Sequence, residues 1–495
     1  MNDYMNRYLG QLKQTLTRFR QASVSEKCDM LAFLFLCLFF FDCSFAGGGR
    51  YILIGPFSPR MLIAFAAFGL SLPRLFKDFG KYIKNPILLS FGAFLVYLLV
   101  CAVRGYLAQN NRQVLITDLK GFAWLFIVPA VMATVRTKLR FRKVLSSIVA
   151  GAVVLSCMVL AINAFCSWVD KGVLKLYYPV FFSQLGSVGI ISDNIYRIFM
   201  NSCPYLIFAC SIALFRQIQC KKVMPRYVAV IVACLCAVLL SFTRSAYGCV
   251  MVVLAASALM IVLYYRKNMK QHLKFFAITA IVLVVAIFAL EFVFMSNYFN
   301  FALSRTIGTP PKSSLAAGLR QDLSEFLFPD GPPSLWPSTG SDSPDKDEEE
   351  NLKNQQQYIS TTLASDQLRA VTQADLMVLI RQNPIFGNGL GASAPSRKDG
   401  LDEYFYLDML ARTGVVGLIL YLLPFGLIVL FSIKNRKNLV ASPAAVSALC
   451  GMLGFWAITW FNPWMNAVLG IAGYGLCCAV PHILSAEESA SAPGE

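Results

Sequence analysis

Apolar runs of membrane-spanning length recur along this 495-residue chain. About 20 consecutive apolar residues cross a bilayer core as a helix, and each run is close to that length. The composition agrees, because only 14% of the residues are charged, whereas a soluble chain carries about 25%. We therefore predict an all-α polytopic membrane protein of about 12 transmembrane helices. The predicted spans are 28–46, 56–73, 86–104, 118–135, 144–166, 198–215, 225–242, 245–265, 274–296, 404–432, 443–461 and 464–484.

The basic residues predict the orientation of the spans. Cytoplasmic connectors of membrane proteins carry an excess of Lys and Arg. Of the 44 Lys and Arg residues, 25 lie in six short segments that alternate with connectors poor in both types: 1–27, 74–84, 136–143, 216–226, 266–274 and 434–437. This alternation predicts an even number of spans and two cytoplasmic termini. The net charge of +17 is thus a topology signal, and no nucleic-acid partner is predicted.

The predicted spans and connectors divide the chain into five segments. These are a basic cytoplasmic N-terminus (1–27), spans one to nine (28–296), one large external loop (297–403), spans ten to twelve (404–484) and a cytoplasmic tail (485–495). The loop holds 14 of the 27 acidic residues. Its middle, 329–357, has the composition of a disordered segment, and its acidic run is predicted to be solvated rather than metal-binding. Apolar positions over 361–381 predict an amphipathic helix that lies against the membrane domain.

The sequence shows no motif for a cofactor or a metal. It has no Walker-type loop, zinc motif or nucleophile elbow. Almost all of its 15 cysteines lie in or beside the apolar runs, where cysteine acts as a small apolar residue and a disulfide framework is not expected. No cofactor and no metal are predicted. If the chain is an enzyme, its substrate must carry its own energy.

Basic residues at the outer ends of the spans are the candidate functional groups. A charge in a span is costly and usually faces a polar cavity or a partner. The candidates are Arg60, Arg104, Lys120 beside Asp118, Arg197, Arg244 and Arg412. Arg104 could instead extend to the interface, and Arg60 and Lys120 could pair with acidic neighbours. Arg197 and Arg244 lead the group, because each lies at the mouth of a span.

Arginines at this depth suit a phosphorylated lipid. The guanidinium group binds phosphate through two parallel hydrogen bonds. A lipid pyrophosphate in the outer leaflet would meet these side chains at the right height. Such a substrate needs no nucleotide, because the pyrophosphate itself is the leaving group, and arginine would stabilise the charge that develops on it.

Three elements of the sequence resemble signatures of the O-antigen ligase and polymerase superfamily. Thr243-Arg244-Ser245 is similar to its Thr/Ser-Arg-Gly/Ala element. Arg369, followed by a helix into Asn383-Pro384-Ile385-Phe386-Gly387-Asn388-Gly389, is similar to its Arg…Asn-Pro-(Leu/Phe)-x-Gly-x-Gly segment. The stretch from Glu403 to Thr413-Gly414-Val415-Val416-Gly417 resembles its next signature. The order and spacing fit over roughly 195–420.

The resemblance implies a function and a fold. Members of the family join a glycan held on undecaprenyl pyrophosphate to an acceptor hydroxyl at the outer face of the bacterial inner membrane. Their fold resembles that of GT-C type glycosyltransferases, and arginines matching Arg197, Arg244 and Arg369 are thought to hold the pyrophosphate. O-antigen ligases carry a catalytic histidine where this chain has Glu403. That departure favours a polymerase of repeat units, with Glu403 as general base.

Three other functions stay open at this point. A ligase would move a finished glycan to a lipid or protein acceptor with the same chemistry. A flippase for lipid-linked oligosaccharides would also suit twelve spans and a cationic cavity, but we find no internal repeat of the kind that transporters show. A peptidoglycan polymerase of the shape, elongation and division kind is expected to have fewer spans. For the polymerase, the resemblance also implies a chain-length regulator and a flippase as partners.

Overall fold

The computed structural model describes residues 14, 17, 19–47, 57–168, 186–192, 195–220, 222–293, 367–397 and 404–485. The helices in these ranges are α1 (Val24–Phe45), α2 (Pro59–Lys77), α3 (Phe79–Ile83), α4 (Pro86–Leu107), α5 (Arg112–Ala123), α6 (Ile127–Thr134), α7 (Lys138–Trp168), α8 (Cys203–Ile218), α9 (Pro225–Leu240), α10 (Arg244–Tyr264), α11 (Met269–Val293), α12 (367–382), α13 (Phe405–Lys434), α14 (Arg436–Ala441), α15 (Pro443–Ile458), α16 (Val468–Cys478) and α17 (Val480–Ser485). Two strands, β1 (Gly186–Ser192) and β2 (Ile195–Met200), form an antiparallel pair.

The described helices account for every predicted apolar run. Nine helical stretches in the described ranges are long and apolar enough to cross a membrane, some of them made of two consecutive helices. Three shorter apolar helices, α8, α9 and α15, cover the remaining runs. The prediction of a largely helical polytopic membrane protein is confirmed.

Proline and small polar residues set many of the helix starts. Ser58 and Asn85 cap α2 and α4 by accepting backbone N–H groups of the first turn, and a proline follows each of them directly. Proline also stands in the first turn of α8, α9 and α15. This placement is favourable because the first-turn N–H groups have no partner within the helix. The predicted boundaries at 86, 225 and 443 coincide with these prolines.

Burial separates central from peripheral helices. Nearly every residue of α8 is buried, and this helix packs against α15, α9 and α7. In contrast, only 11% of the apolar window of α11 is buried within the protein. A helix that is apolar on all sides and largely uncovered is expected to face lipid. The bundle therefore has a protein-buried centre at α8 and a lipid-facing rim at α11.

Arginines of the basic connectors form ion pairs with aspartates at one end of the bundle. Asp29 binds Arg74 and Arg140 at 2.7 and 2.5 Å, and Asp78 binds Arg136 at 2.7 Å. Two predicted cytoplasmic segments, 74–84 and 136–143, and the start of α1 thus contribute to the same end, which we call the Arg136 end. The opposite end, the Arg244 end, carries the C-termini of α1, α4 and α9 and the N-termini of α2, α5 and α10.

A short strand pair corrects the start of the predicted sixth span. The predicted sixth span began at residue 198, but residues 195–200 are the strand β2, and the helix α8 begins only at Cys203. In the β1–β2 register Gly189 lies opposite Arg197. Arg197 therefore lies on a strand that leads into the helix, rather than on the first turn of a span.

The predicted external loop is described only in part. Residues 367–382 are helical and overlap the range 361–381, over which an amphipathic helix is predicted. The segment 329–357 and Glu403 lie outside the described residues, as do the terminal segments 1–13 and 486–495.

Candidate functional site

Arg197 and Arg244, far apart in sequence, meet at one corner of the Arg244 end. The Arg197 Nε donates a hydrogen bond to the carbonyl oxygen of Ser241 at 3.3 Å. Ser241 is the C-terminal cap of α9, and Arg244 is the first residue of α10. The structure thus brings together the two arginines that the sequence analysis placed first. Arg244 is exposed and Arg197 is half-buried, so both can be reached from outside the bundle.

The turn that presents Arg244 is strained. Phe242 is fully buried and has φ 45°, a left-handed conformation that a bulky residue rarely adopts. The hydroxyl groups of Ser241 and Thr243 donate to nearby carbonyl oxygens at 2.6 and 3.0 Å and hold the turn in place. Strain of this kind is found mostly at functional sites, where surrounding contacts hold it. The turn places Arg244 at the positive N-terminal end of α10, which adds to its attraction for anions.

A third segment borders this corner. The Asn462 side chain, in the connector after α15, donates to the Ser245 hydroxyl at 3.1 Å. The ring of Trp464 lies 6.5 Å from that of Phe199, two residues beyond Arg197 on β2. The Arg197–Arg244 corner is therefore lined by β2, the α9–α10 turn and the connector 459–467.

The two later signatures form a single structural unit, which we call the glycine junction: residues 383–391 bound to the break in α13 at 411–417. The backbone N–H groups of Asn388 and Gly389 donate to the carbonyl oxygens of Ala411 and Arg412, at 2.8 and 2.9 Å. In return, the N–H groups of Val415 and Val416 donate to carbonyl oxygens of residues 384 and 385. Backbone groups that the break in the helix leaves without intrahelical partners are thus satisfied.

Glycine is required at this junction for two reasons. Gly387, Gly389, Gly391 and Gly414 all have φ between 68° and 88°, which favours glycine. A Cβ atom on Gly414 would lie 2.2 Å from the Ile385 carbonyl oxygen, and one on Gly389 would lie 2.5 Å from the Gly105 nitrogen. The glycine series therefore allows the backbone of 383–391 to pass against α4 and α13.

Arg104 also belongs to the glycine junction. Its two terminal nitrogens donate to the carbonyl oxygens of Phe386 and Gly387 at 2.8 and 2.9 Å. The Asn110 side chain donates to the carbonyl oxygens of Asn388 and Leu390, both at 3.1 Å. These bonds tie the end of α4 and the turn after it to the junction. Arg104 thus serves as a structural donor, rather than extending to the interface as the sequence allowed.

Arg412 is buried in an ion-pair cluster. It contacts Asp118 of α5 and lies 2.8 Å from Asp408 on its own helix, and its side chain is only 5% exposed. Asp118 also accepts the N–H group of Gly391 at 3.0 Å, and Arg412 donates through Nε to the Ala392 carbonyl oxygen. The sequence suggested that Arg412 binds substrate, but these contacts give it a structural role in holding α5, α13 and the junction together.

Arg60 is likewise enclosed. Its guanidinium group donates to the Asp42 carboxylate at 2.5 Å and to the Gly47 carbonyl oxygen at 2.6 Å, and the residue is 1% exposed. The acidic neighbour that the sequence analysis allowed for is therefore Asp42, on α1. Lys120 differs, because it is exposed on α5.

The remaining candidates are only partly defined. Arg369 is half-buried on α12, and Glu403 lies outside the described residues. Among the described residues, no group of three or more His, Cys, Asp or Glu side chains could hold a metal ion. Tyr97 was missed by the sequence analysis, although its hydroxyl group donates to the Thr413 carbonyl oxygen at 2.8 Å. Nothing in the sequence marks a tyrosine in the middle of an apolar run as a partner of a distant glycine motif.

Comparison with known protein families gives one match. A family model described as O-antigen ligase matches residues 229–422. This range includes the Arg244 turn, α12 and the whole glycine junction, and so contains the three elements that carried the sequence resemblance. No curated protein and no solved structure gives a significant match to the chain.

Proposed function

We propose that this chain, which belongs to the O-antigen ligase and polymerase superfamily, polymerises oligosaccharide repeat units carried on undecaprenyl pyrophosphate. The family match supports a ligase- or polymerase-type function on a lipid-linked glycan and does not support a flippase. In this proposal the chain is a twelve-span protein of the bacterial inner membrane with both termini in the cytoplasm, and the Arg244 end faces outwards. Its partners would include a flippase that delivers repeat units and a regulator of chain length.

The Arg197–Arg244 corner is the observation that carries the proposal. Two reachable guanidinium groups lie at one end of an apolar bundle, and the hydrogen bond from Arg197 to Ser241 fixes one of them beside the turn that presents the other. A pyrophosphate has oxygen atoms enough for bidentate contacts with both. An apolar chain attached to that pyrophosphate would extend into the bilayer beside the bundle.

The reaction would be a displacement at the anomeric carbon. A hydroxyl group of the acceptor sugar attacks C1 of the donor glycan, the new C1–oxygen bond forms, and the bond from C1 to the pyrophosphate oxygen breaks. Arg244 and Arg197 stabilise the charge on the leaving pyrophosphate. Glu403 takes the hydroxyl proton as general base. We expect inversion at C1, because a single displacement by the acceptor hydroxyl group reverses the configuration at that carbon.

The remaining basic candidates divide by exposure. Half-buried Arg369 and exposed Lys120 are retained as contacts of the pyrophosphate or the glycan. Arg60 and Arg412 are not retained, because each is almost fully buried and bound to carboxylates. Moving either one to a substrate would leave a carboxylate unpaired in the bundle, which costs several kcal/mol in typical cases.

A polymerase is favoured over a ligase by Glu403, which occupies the position of the ligase histidine. The length of glycan on the carrier lipid tests this choice. It would be measured in cells with the native protein, with Arg244→Ala and without the protein, and the amount of membrane-inserted protein would be matched. Arg226→Ala serves as control, because Arg226 is an exposed arginine at the start of α9, at the opposite end.

A polymerase predicts single repeat units on the carrier at the outer face when Arg244 or the whole protein is lost, and normal chains with Arg226→Ala. Full-length glycan left on the carrier would instead identify a ligase. Single units held at the cytoplasmic face would identify a flippase and overturn the assignment of the two arginines.

A further inference from the structure

A pocket lies beside the glycine junction, away from the Arg197–Arg244 corner. It has a volume of about 500 Å³ and opens at the Arg244 end, between the α4–α5 turn, the end of α12 and the junction. The pocket lies at the last turn of α4, which contributes Arg104 and Leu107 to its lining, and at the turn that follows. A ligand there would sit outside the apolar part of the bundle, at the height of a water-soluble headgroup rather than a lipid chain.

Half of the twelve residues that line the pocket carry uncharged side chains that can both donate and accept hydrogen bonds. These are five amides and one hydroxyl group: Asn110, Asn111, Gln382, Asn383, Asn388 and Ser393. An amide presents an acceptor oxygen and two donor hydrogens side by side. This pattern matches neighbouring hydroxyl groups of a sugar ring, which also donate and accept in pairs.

Part of this lining is held rigid, and part is available to a ligand. Asn383 donates to the Asn388 oxygen at 2.8 Å, and the Asn388 nitrogen donates to the Leu379 carbonyl oxygen at 2.7 Å. Within the described part of the chain, the side chains of Gln382 and Ser393 make no hydrogen bond. Asn383 and Asn388 are already fixed, and Gln382 and Ser393 can bond to a ligand. This arrangement favours binding, because few side chains must be ordered when the ligand binds.

The charge of the pocket argues against an anionic ligand. Its one charged lining residue is Arg104, whose two terminal nitrogens already donate to carbonyl oxygens of the glycine junction. A phosphate site would be expected to present unengaged cations. The ligand that fits is therefore neutral and rich in hydroxyl groups.

We propose that this amide-lined pocket is a carbohydrate subsite that binds sugar residues of the glycan substrate through Gln382, Asn383 and Ser393. The inference rests on the proposed function, because that function supplies a glycan at this end of the bundle. It adds a second binding region, in which the pyrophosphate is held at the Arg197–Arg244 corner and sugars are held at the glycine junction. Sugar specificity would then be set by residues different from those that hold the leaving group.

The test measures binding of a phosphate-free glycan to the full-length protein in nanodiscs. The probe is the oligosaccharide released by mild acid from the carrier lipid of the producing cell, and saturation-transfer NMR reports its contact with the protein. Gln382→Ala combined with Ser393→Ala should weaken binding about tenfold, since two hydrogen bonds to the glycan are lost. Ala108→Trp should also block binding, because exposed Ala108 lines the pocket and its replacement would fill it.

Two control variants separate this inference from the proposed function. Gln373→Ala removes an exposed amide nine residues from Gln382, on the opposite face of α12, and should bind the glycan normally. Arg244→Ala should also bind it normally, because the probe has no phosphate. Unchanged binding in all pocket variants would overturn the subsite even if Arg244→Ala stops polymerisation in cells. Lost binding in the pocket variants, with normal polymerisation by Arg244→Ala, would keep the subsite and reject the assigned role of Arg244.

Discussion

Arg412 and Asp118 are separated by 294 positions in the chain, yet their side chains form a buried ion pair. The pair joins the broken start of α13 to the buried face of α5, and Asp408 adds a second carboxylate to the same guanidinium group. A cation placed between two buried carboxylates is a structural element, because its removal leaves two like charges in a region of low dielectric. The first prediction follows from this geometry.

Arg412→Ala should strongly destabilise the folded protein. We expect a loss of about 3–5 kcal/mol, as for other buried ion pairs that lose one partner, seen as a lower midpoint of thermal unfolding in detergent. Lys120→Ala, an exposed change two residues from Asp118, should leave the midpoint unchanged. If Arg412→Ala instead unfolds like the native protein and loses only substrate affinity, Arg412 binds substrate after all.

Gly414→Ala should disrupt the glycine junction. The residue has φ 68°, and an added Cβ atom would meet the Ile385 carbonyl oxygen, so the break in α13 must distort. Strain of this kind costs about 1–3 kcal/mol before any loss of hydrogen bonds is counted. Gly426→Ala in the same helix is the matched control, because a Cβ atom there has no neighbour within 4 Å. Size-exclusion profiles of fluorescently tagged protein would measure the folded fraction, and equal profiles for the two variants would contradict the prediction.

Arg60→Ala should lower the amount of folded protein, whereas Arg244→Ala should lower turnover. Arg60 is enclosed by Asp42 and Gly47, so its loss should reduce the amount of folded protein while each remaining molecule turns over normally. Arg244 is exposed, so its loss should leave the amount of protein unchanged and abolish turnover. Glycan length per folded molecule distinguishes the two results. If Arg60→Ala protein is present in normal amounts but inactive, the structural role is wrong and Arg60 binds substrate.

The ion pair between Asp78 and Arg136 should stabilise the protein less in acid. Arg136 donates a hydrogen bond that lowers the pKa of Asp78, and the charges of Arg136 and Lys81 act in the same direction. A carboxylate with a lowered folded-state pKa adds stability above its unfolded pKa, near 3.9, and this contribution is lost as the pH falls through the folded value.

Asp78→Asn should therefore be less stable than the native protein at neutral pH, by about 1 kcal/mol or less for a surface pair. The difference should shrink as the pH falls below about 4, toward the lowered folded-state pKa. Unfolding midpoints of both proteins across this range would check it. A difference that stays constant down to strong acid would show that the amide changes packing rather than charge.

The positions of the helices could be predicted from the sequence because hydropathy and proline are local signals. The starts at Pro86, Pro225 and Pro443 were placed correctly for this reason. The strand pair was missed although its signal is also local. Asp193-Asn194, two residues typical of turns, separates Gly186–Ser192 from Ile195–Met200, and both segments are rich in β-branched residues. Because residues 198–215 are largely apolar, they are predicted as a transmembrane helix, and the β-strand pattern at the start of this range is missed.

The partners of the charged residues could not be predicted, because they depend on long-range contacts. Arg60 and Arg244 look alike in sequence, since each stands near the outer end of an apolar run. Only the packing of α1 against α2 shows that Asp42 reaches Arg60. Similarly, the family signatures at 383–391 and 411–417 appear as separate motifs until their backbone hydrogen bonds are seen.

The glycine junction also determines which parts of the protein can be exchanged between relatives. Its backbone is bonded to α13, and its cradle is built from the end of α4 and the start of α5, nearly 300 positions earlier. A chimaera that takes α13–α17 from a relative would separate residues 411–417 from residues 383–391 and from the ends of α4 and α5 that bind them. Residues 97–118 and 383–417 are therefore expected to evolve as one inherited block, and recombinant proteins should stay functional only when both halves come from the same parent.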